Sequence, residues 1–196
     1  DRPTVQSRLT TDAADDRLPH WSSDGTKVVF GSLRDGQSRL YVKNVDGGRP
    51  EEQLANLGDG NPNPLDWSSD GRFVLFFKQL PKTNFGLWLQ PLEGDTKASA
   101  FEDTNFNETD GAFSPDMKWV AYTSDETGRE EIFVRSFPAA GQKFRVSTTG
   151  GTSPVWRGDG RELYFLAPDS TMMTAPISAP AGGAPGVHVG EPAPLF

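Results

Sequence analysis

The side chains best suited to chemistry in this chain are its carboxylates and its two histidines, because cysteine is absent. Without Cys there is no disulfide, no thiolate metal site and no thiol nucleophile. A lone His with no Cys partner makes a poor zinc site. A serine hydrolase needs a G-x-S-x-G elbow together with a His and an acid, and no such run occurs. No stretch matches an EF-hand loop or a phosphate-cradling P-loop. Spacing does group a set of oxygen-bearing side chains: Asp15 and Asp16, Asp59 and Asn61, Asn107 with Glu108 and Asp110, then Thr152 and Ser153. His20 follows the first group, and His188 falls in a polar stretch near the end. If these stretches converge, they form an oxygen-rich ring suited to Ca²⁺ or to a basic peptide. They are therefore the candidate ligand-binding residues, with His20 as a channel-lining residue. No catalytic residue, metal ligand or cofactor is assigned beyond that one ion.

A fourfold repeat marks the elements that must position them. Trp21-Ser22-Ser23-Asp24-Gly25 returns as Trp67-Ser68-Ser69-Asp70-Gly71, Phe113-Ser114-Pro115-Asp116-Met117 and Trp156-Arg157-Gly158-Asp159-Gly160, the aspartates 46, 46 and 43 residues apart. Periods of this size belong to propellers, solenoids or arrays. Three residues before each Asp is an aromatic, and six after it is another (Phe30, Phe76, Tyr122, Phe165). The runs Val28 to Phe30, Phe73 to Phe77, Trp119 to Tyr122 and Leu163 to Leu166 are continuous and apolar, as in strands covered on both faces. About ten residues on come Leu40 to Val42, Leu87 to Leu89, Ile132 to Val134 and the weaker Met172 to Thr174. More polar strands close the units at Glu51 to Ala55, Ala98 to Glu102, Phe144 to Thr148 and Val187 to Leu195, as suits outer edges.

The fold class is thus all-β, a propeller of four-stranded antiparallel blades with four repeats at about 18–56, 63–103, 109–149 and 152–196. Residues 1–17 supply a strand-like run, Val5 to Thr10, and an acidic loop before the first blade. In each repeat the Asp bonds the following backbone, Gly accepts a positive φ, and the leading aromatic wedges between blades. Met117 stands where the other copies have Gly, which predicts a relaxed turn there.

Composition narrows the functional classes. With 35% hydrophobic residues, 21 Gly and 16 Pro the chain suits a turn-rich folded protein. A net charge of -8 disfavours a phosphate-neutralising surface, so no nucleic-acid partner is expected. No apolar run approaches the length of a membrane span.

The pattern WSSDG, VVFGS, RLYVKNVDGG in the first unit resembles the TolB-like (WD40-like, PD40) propeller repeats, from about Leu18 to the end. The third and fourth units, with VAYTSDETGREEIFVRSFP, FRVSTTGG and WRGDGRELYFLAPDSTMMTAPIS, resemble the propeller of bacterial receptor-type serine/threonine kinases. The resemblance implies a non-enzymatic interaction or ligand-sensing module with a protein or peptide partner, outside the cytoplasm. A propeller from a prolyl-oligopeptidase-like peptidase is the alternative, and a metal-dependent lyase a more distant one. Four units are few for this family. The expectation is a piece of a larger ring or a homodimer that completes one, with an apolar patch left open near Trp21 or on the fourth unit.

Overall fold

A computed structural model describes residues 8–54, 57, 60–79, 84–94, 97–180, 182 and 185–196. Four antiparallel sheets follow one another along the chain. The first blade is β1 (Asp16–Trp21), β2 (Lys27–Arg34), β3 (Gln37–Asn44) and β4 (Glu52–Gln53). The second is β5 (Asn63–Trp67), β6 (Phe73–Gln79), β7 (Phe85–Pro91) and β8 (Ser99–Glu102). The third is β9 (Glu108–Phe113), β10 (Trp119–Ser124), β11 (Glu131–Ser136) and β12 (Lys143–Arg145). The fourth is β13 (Thr152–Trp156), β14 (Glu162–Leu166), β15 (Met172–Ser178), β16 (His188–Val189) and β17 (Ala193–Pro194). Here β16 and β17 both pair with β15, so the expected outer strand at Val187 to Leu195 is present but interrupted. Of the outer strand expected at Glu51 to Ala55, Ala55 lies outside the described residues. In the expected strand at Val5 to Thr10, residues 5–7 lie outside them, and Arg8 to Thr10 are not in a strand. Leu9 instead packs its side chain on Val28, Phe30 and Tyr41.

The repeated turn works through a clip that joins one serine to one aspartate. Ser22 donates its hydroxyl to Asp24 (2.6 Å) and accepts the N–H of Lys27 (2.9 Å), while Asp24 accepts the N–H of Thr26 (3.0 Å). Ser68 with Asp70 and Ser114 with Asp116 repeat the pattern. The hydroxyl and backbone bonds hold the Asp24 carboxyl down at about 2. In the fourth unit Arg157 replaces the serine, and only the backbone bonds and the Asp159 acceptor remain. Gly25, Gly71 and Gly160 take φ near +70°, as the turn requires. Met117 does so too, with φ +57°, which corrects the expectation of a relaxed turn. Its N–H still closes on the carbonyl of Ser114 (3.0 Å), and its side chain packs against the core between the second and third blades. Those contacts hold a conformation that costs a non-glycine residue about 1–2 kcal/mol.

The core lies between the blades. Val29 and Leu40 of the first blade meet Trp67, Val74 and Phe76 of the second. Leu75, Leu87 and Leu89 of the second meet Phe113, Tyr122 and Phe133 of the third. Ile132 and Val134 of the third meet Leu163, Phe165 and Ile177 of the fourth. The wedge aromatic sits at each joint: Trp67 and Phe113 are 8% and 7% exposed, and Trp156 packs on the third joint. Trp21 packs in no joint among the described residues and is 61% exposed.

Inner strands adjoin in chain order, β1 with β5, β5 with β9 and β9 with β13, and no comparable packing joins β13 back to β1 among the described residues. This is a partial β-propeller. Its two end faces carry the expected apolar patch in part: Leu18, Trp21 and Val45 of the first blade and Val155 of the fourth are exposed, among groups that are covered or polar. On the first blade Val28, Phe30 and Tyr41 are already buried, with Arg34 over the Tyr41 ring at 4.0 Å and paired to Glu51 at 2.9 Å. On the fourth blade the corresponding face is mixed: Glu162, Tyr164 and Thr174 alternate with the partly buried Leu166 and Met172, and Tyr164 donates to Glu162 (2.9 Å).

The wedges should differ in weight according to what covers them. Trp67→Ala is expected to cost about 3–5 kcal/mol, and Trp21→Ala about 0.5 kcal/mol or less. Urea denaturation of the two variants checks the difference.

Candidate functional site

Each inner strand carries an irregularity at the same place. Pairing slips between Arg17 and His20 in β1, between Pro64 and Asp66 in β5, opposite Ala121 to Thr123 in β9, and between Thr152 and Val155 in β13. In three of the four, the residue at the slip has left-handed backbone: Leu18 (φ +50°), Asp110 (φ +53°) and Ser153 (φ +56°). Pro64 occupies that position in the second blade, and its ring fixes φ negative. Bulges re-aim side chains and are common beside functional sites. Here they turn the inner strands of all four blades onto one channel of about 550 Å³, lined by Leu18, His20, Asp66, Asp110, Ser153 and Val155 among others.

Two carboxylates in this channel also hold the blades together. Asp66 accepts the N–H of its neighbour Trp67 (2.8 Å) and that of Phe113 in the next blade (2.8 Å). Burial pushes its carboxyl up to about 6, against those two bonds. Asp110 accepts the Thr123 hydroxyl (3.1 Å) and the N–H of Ser153 in the fourth blade (3.3 Å). Trp156 adds its indole N–H to the carbonyl of Ala112 (3.1 Å). Burial lowers the pKa of His20 below the ordinary imidazole value.

The other expected site residues are not gathered there. Asp15 is exposed and paired with Arg17 (3.0 Å). Asp16 has a buried oxygen with no partner among the described residues, and Asn61 is exposed at the start of the second blade. Asp59 lies outside the described residues. Asn107 is tied to Asp125 through its backbone (2.9 Å) and its side-chain amide (2.7 Å). Among the described residues no group of three or more His, Asp or Glu could hold a metal ion. The oxygen ring expected for Ca²⁺ therefore reduces to Asp110, beside the channel's Asp66 and His20.

Glu108 is fully buried in a polar seam between the second and third blades. It accepts the Thr104 hydroxyl through one oxygen, and its other oxygen has no partner among the described residues. Lys143 completes the seam, 3.2 Å from Glu102 and bonded to Glu126, and Arg135 pairs with Glu102. Burial pushes the Glu108 carboxyl up to about 7, despite the Thr104 bonds and the Lys143 charge. Burial first, then the charges of Glu126 and Glu108, raises the pKa of Tyr122 alongside.

Two of these features escaped the sequence reading. Asp66 had a signal available: the residue before each wedge is His20, Asp66, Ala112 or Val155, and only Asp66 can accept an N–H as an anion. The burial of Glu108 had none, because an acidic residue at a strand start reads as solvated.

The fold and channel define an array of propeller blades, and solved structures agree. TolB from Acinetobacter baumannii superposes with a TM-score of 0.69 at 18% identity, over 95% of this chain and 46% of that one. A putative TolB from Agrobacterium tumefaciens gives 0.73 at 16% identity, over 96% and 68%. The chain has the fold of a TolB-like β-propeller. Among curated proteins it is 37% identical over 67 residues to Tricorn protease homolog 1 of Streptomyces coelicolor, over 34% of this chain and 6% of that protein. It is 30% identical over 146 residues to dipeptidyl-peptidase 5 of Trichophyton schoenleinii, over 61% of this chain and 20% of that protein. The chain thus spans a fifth or less of the length of these curated relatives. No family model matches it. Among the described residues no helix is long and apolar enough to cross a membrane.

The Glu108 shift has a sign that can be measured. A carboxyl raised from 4.5 to about 7 favours the folded state below its unfolded pKa and loses that advantage as pH rises through the folded value. Glu108→Gln is therefore expected to match the parent at pH 4 and to exceed it at pH 8, by on the order of 2–3 kcal/mol. Urea midpoints across that range check it.

Proposed function

We propose that this chain is a recognition module whose inner channel binds a basic segment of a protein or peptide partner. The observation that carries this reading is the channel itself, where bulged inner strands bring Asp66 and Asp110 beside His20, Leu18 and Val155. Carboxylates at a concave surface attract cations. Leu18 and Val155, 45% and 58% exposed, offer apolar surface to an aliphatic side-chain stem. Both carboxylates already accept backbone N–H bonds, which fixes them in place and suits binding on a preformed scaffold. In this reading residues 18–196 form one unit of four blades, with 1–17 leading into it. Trp21 marks the edge where further blades of a larger ring, or those of a second copy, adjoin. The setting is extracytoplasmic, as the TolB-like resemblance implies, and the role is that of a sensor in an envelope protein or receptor kinase.

The match to dipeptidyl-peptidase 5 favours a second reading, in which the blades border the catalytic domain of a peptidase and admit its substrate. The gene sequence flanking this chain separates the two: a serine-hydrolase domain supports the peptidase, and a kinase with a membrane span supports the sensor.

Calorimetric titration with Lys- and Arg-containing peptides tests the channel, with Glu-substituted peptides as controls. Asp110→Asn keeps a residue that tolerates positive φ while removing the charge. It is expected to weaken basic-peptide binding about tenfold. Equal affinity for the acidic peptides would overturn the reading.

A further inference from the structure

At the end of its third strand, or one residue past it, each blade has an equivalent residue. Val45, Leu92, Phe137 and Ile177 donate their N–H groups to the carbonyls of Thr26, Arg72, Lys118 and Arg161, one bond per blade. Between the second and third blades this residue fills the joint. The Phe137 ring lies 5.3 Å from Phe73 and 5.1 Å from Phe113, edge-on to both, and 6.4 Å from Phe101. Between the third and fourth blades the same position holds Ile177. The two aromatic positions around it persist as Trp119, which corresponds to Phe73, and Trp156, which corresponds to Phe113. An isoleucine cannot replace a ring set edge-on between two others. The joint accordingly keeps an open groove of about 620 Å³ over Trp119, Trp156, Ile177 and Val187, a size typical of ligand sites.

The rim has a specific charge. Asp116 is paired with Lys118 (3.4 Å) and Asp159 with Arg157 (3.5 Å). The guanidinium of Arg161, which also lines the groove, makes no ion pair among the described residues. The indole N–H of Trp119 likewise has no acceptor among them, its ring contact being edge-on to Phe144. A gap large enough to admit an aromatic ring therefore lies beside one cation without an ion pair among the described residues and one open donor, on a chain whose net charge is -8.

We propose that this groove receives an aromatic side chain of a partner peptide, followed by an acidic residue. The ring takes the place that Phe137 fills in the neighbouring joint, edge-on to Trp119 and Trp156. The carboxylate of the next residue meets Arg161, and a peptide carbonyl accepts the Trp119 N–H. The groove adjoins the channel of the basic-peptide reading across Trp156, which lines both, while Trp119 and Arg161 line the groove alone.

The test follows the Trp119 indole N–H cross-peak in ¹⁵N-labelled protein during titration with Ac-Phe-Asp-NH₂, Ac-Ala-Asp-NH₂ and Ac-Phe-Lys-NH₂. The first peptide is expected to shift it along a saturating curve, with the other two about tenfold weaker. Ile177→Phe, which restores the plug, is expected to abolish the response. Should Ile177→Phe fail to fold, the exposed Arg161→Glu serves instead and is expected to weaken Ac-Phe-Asp-NH₂ about tenfold. No shift at millimolar peptide, an equal response to Ac-Ala-Asp-NH₂, or full binding in folded Ile177→Phe or Arg161→Glu would overturn the proposal.

Discussion

Burial of apolar faces between neighbouring blades is the constraint on which the rest of this structure depends. A four-stranded blade with apolar residues on both sides cannot cover itself, so stability comes from stacking one unit on the next. The wedge aromatics Trp67, Phe113 and Trp156 occupy each joint at its inner end. Carboxylates complete two joints by reaching across them, Asp66 to Phe113 and Asp110 to Ser153. The channel exists because these contacts fix the inner strands side by side. Its acidic groups are structural members first, and a ligand would meet them already oriented.

The fold was legible because its information is local and repeated. The interval from each wedge to its Asp and on to the second aromatic placed the inner and middle strands, and polar runs placed the outer ones. Val187 to Leu195 was recovered in that way even though a proline- and glycine-rich tail precedes it; Gly190 still donates to the carbonyl of Pro176 in β15, and the strand breaks at Glu191 and Pro192. The site was less legible because it depends on contacts between units. Glu108 sits next to Asn107 in sequence, yet it turns into the seam beside Lys143 while Asn107 faces Asp125. Met117 departs from its turn chemistry for a related reason: that chemistry alone argues against positive φ at a methionine, and packing in the joint overrides it.

Differences between copies carry more functional meaning than the residues they share. The position before the wedge changes from His20 to Asp66, Ala112 and Val155, which gives the channel one side of charge and another of apolar surface. The position ending the third strand changes from Phe137 to Ile177, which turns a filled joint into a groove. The fourth blade's free face trades leucine and phenylalanine for Glu162, Tyr164 and Thr174. A symmetric scaffold acquires distinct surfaces through single substitutions at equivalent places, as befits functions carried by sites grafted on a common fold.

The serine clip has a kinetic side. All its bonds close within six residues, Ser22 to Lys27, Ser68 to Phe73 and Ser114 to Trp119, so none waits for another blade to arrive. Closing so short a loop takes on the order of 10–100 ns, far less than assembling a sheet. The first three units thus each carry their own starting point, and the fourth, where Arg157 replaces the serine, does not. Order along this chain can begin at any of three hairpins and spread outward, with the last blade recruited onto a surface its neighbour has already built.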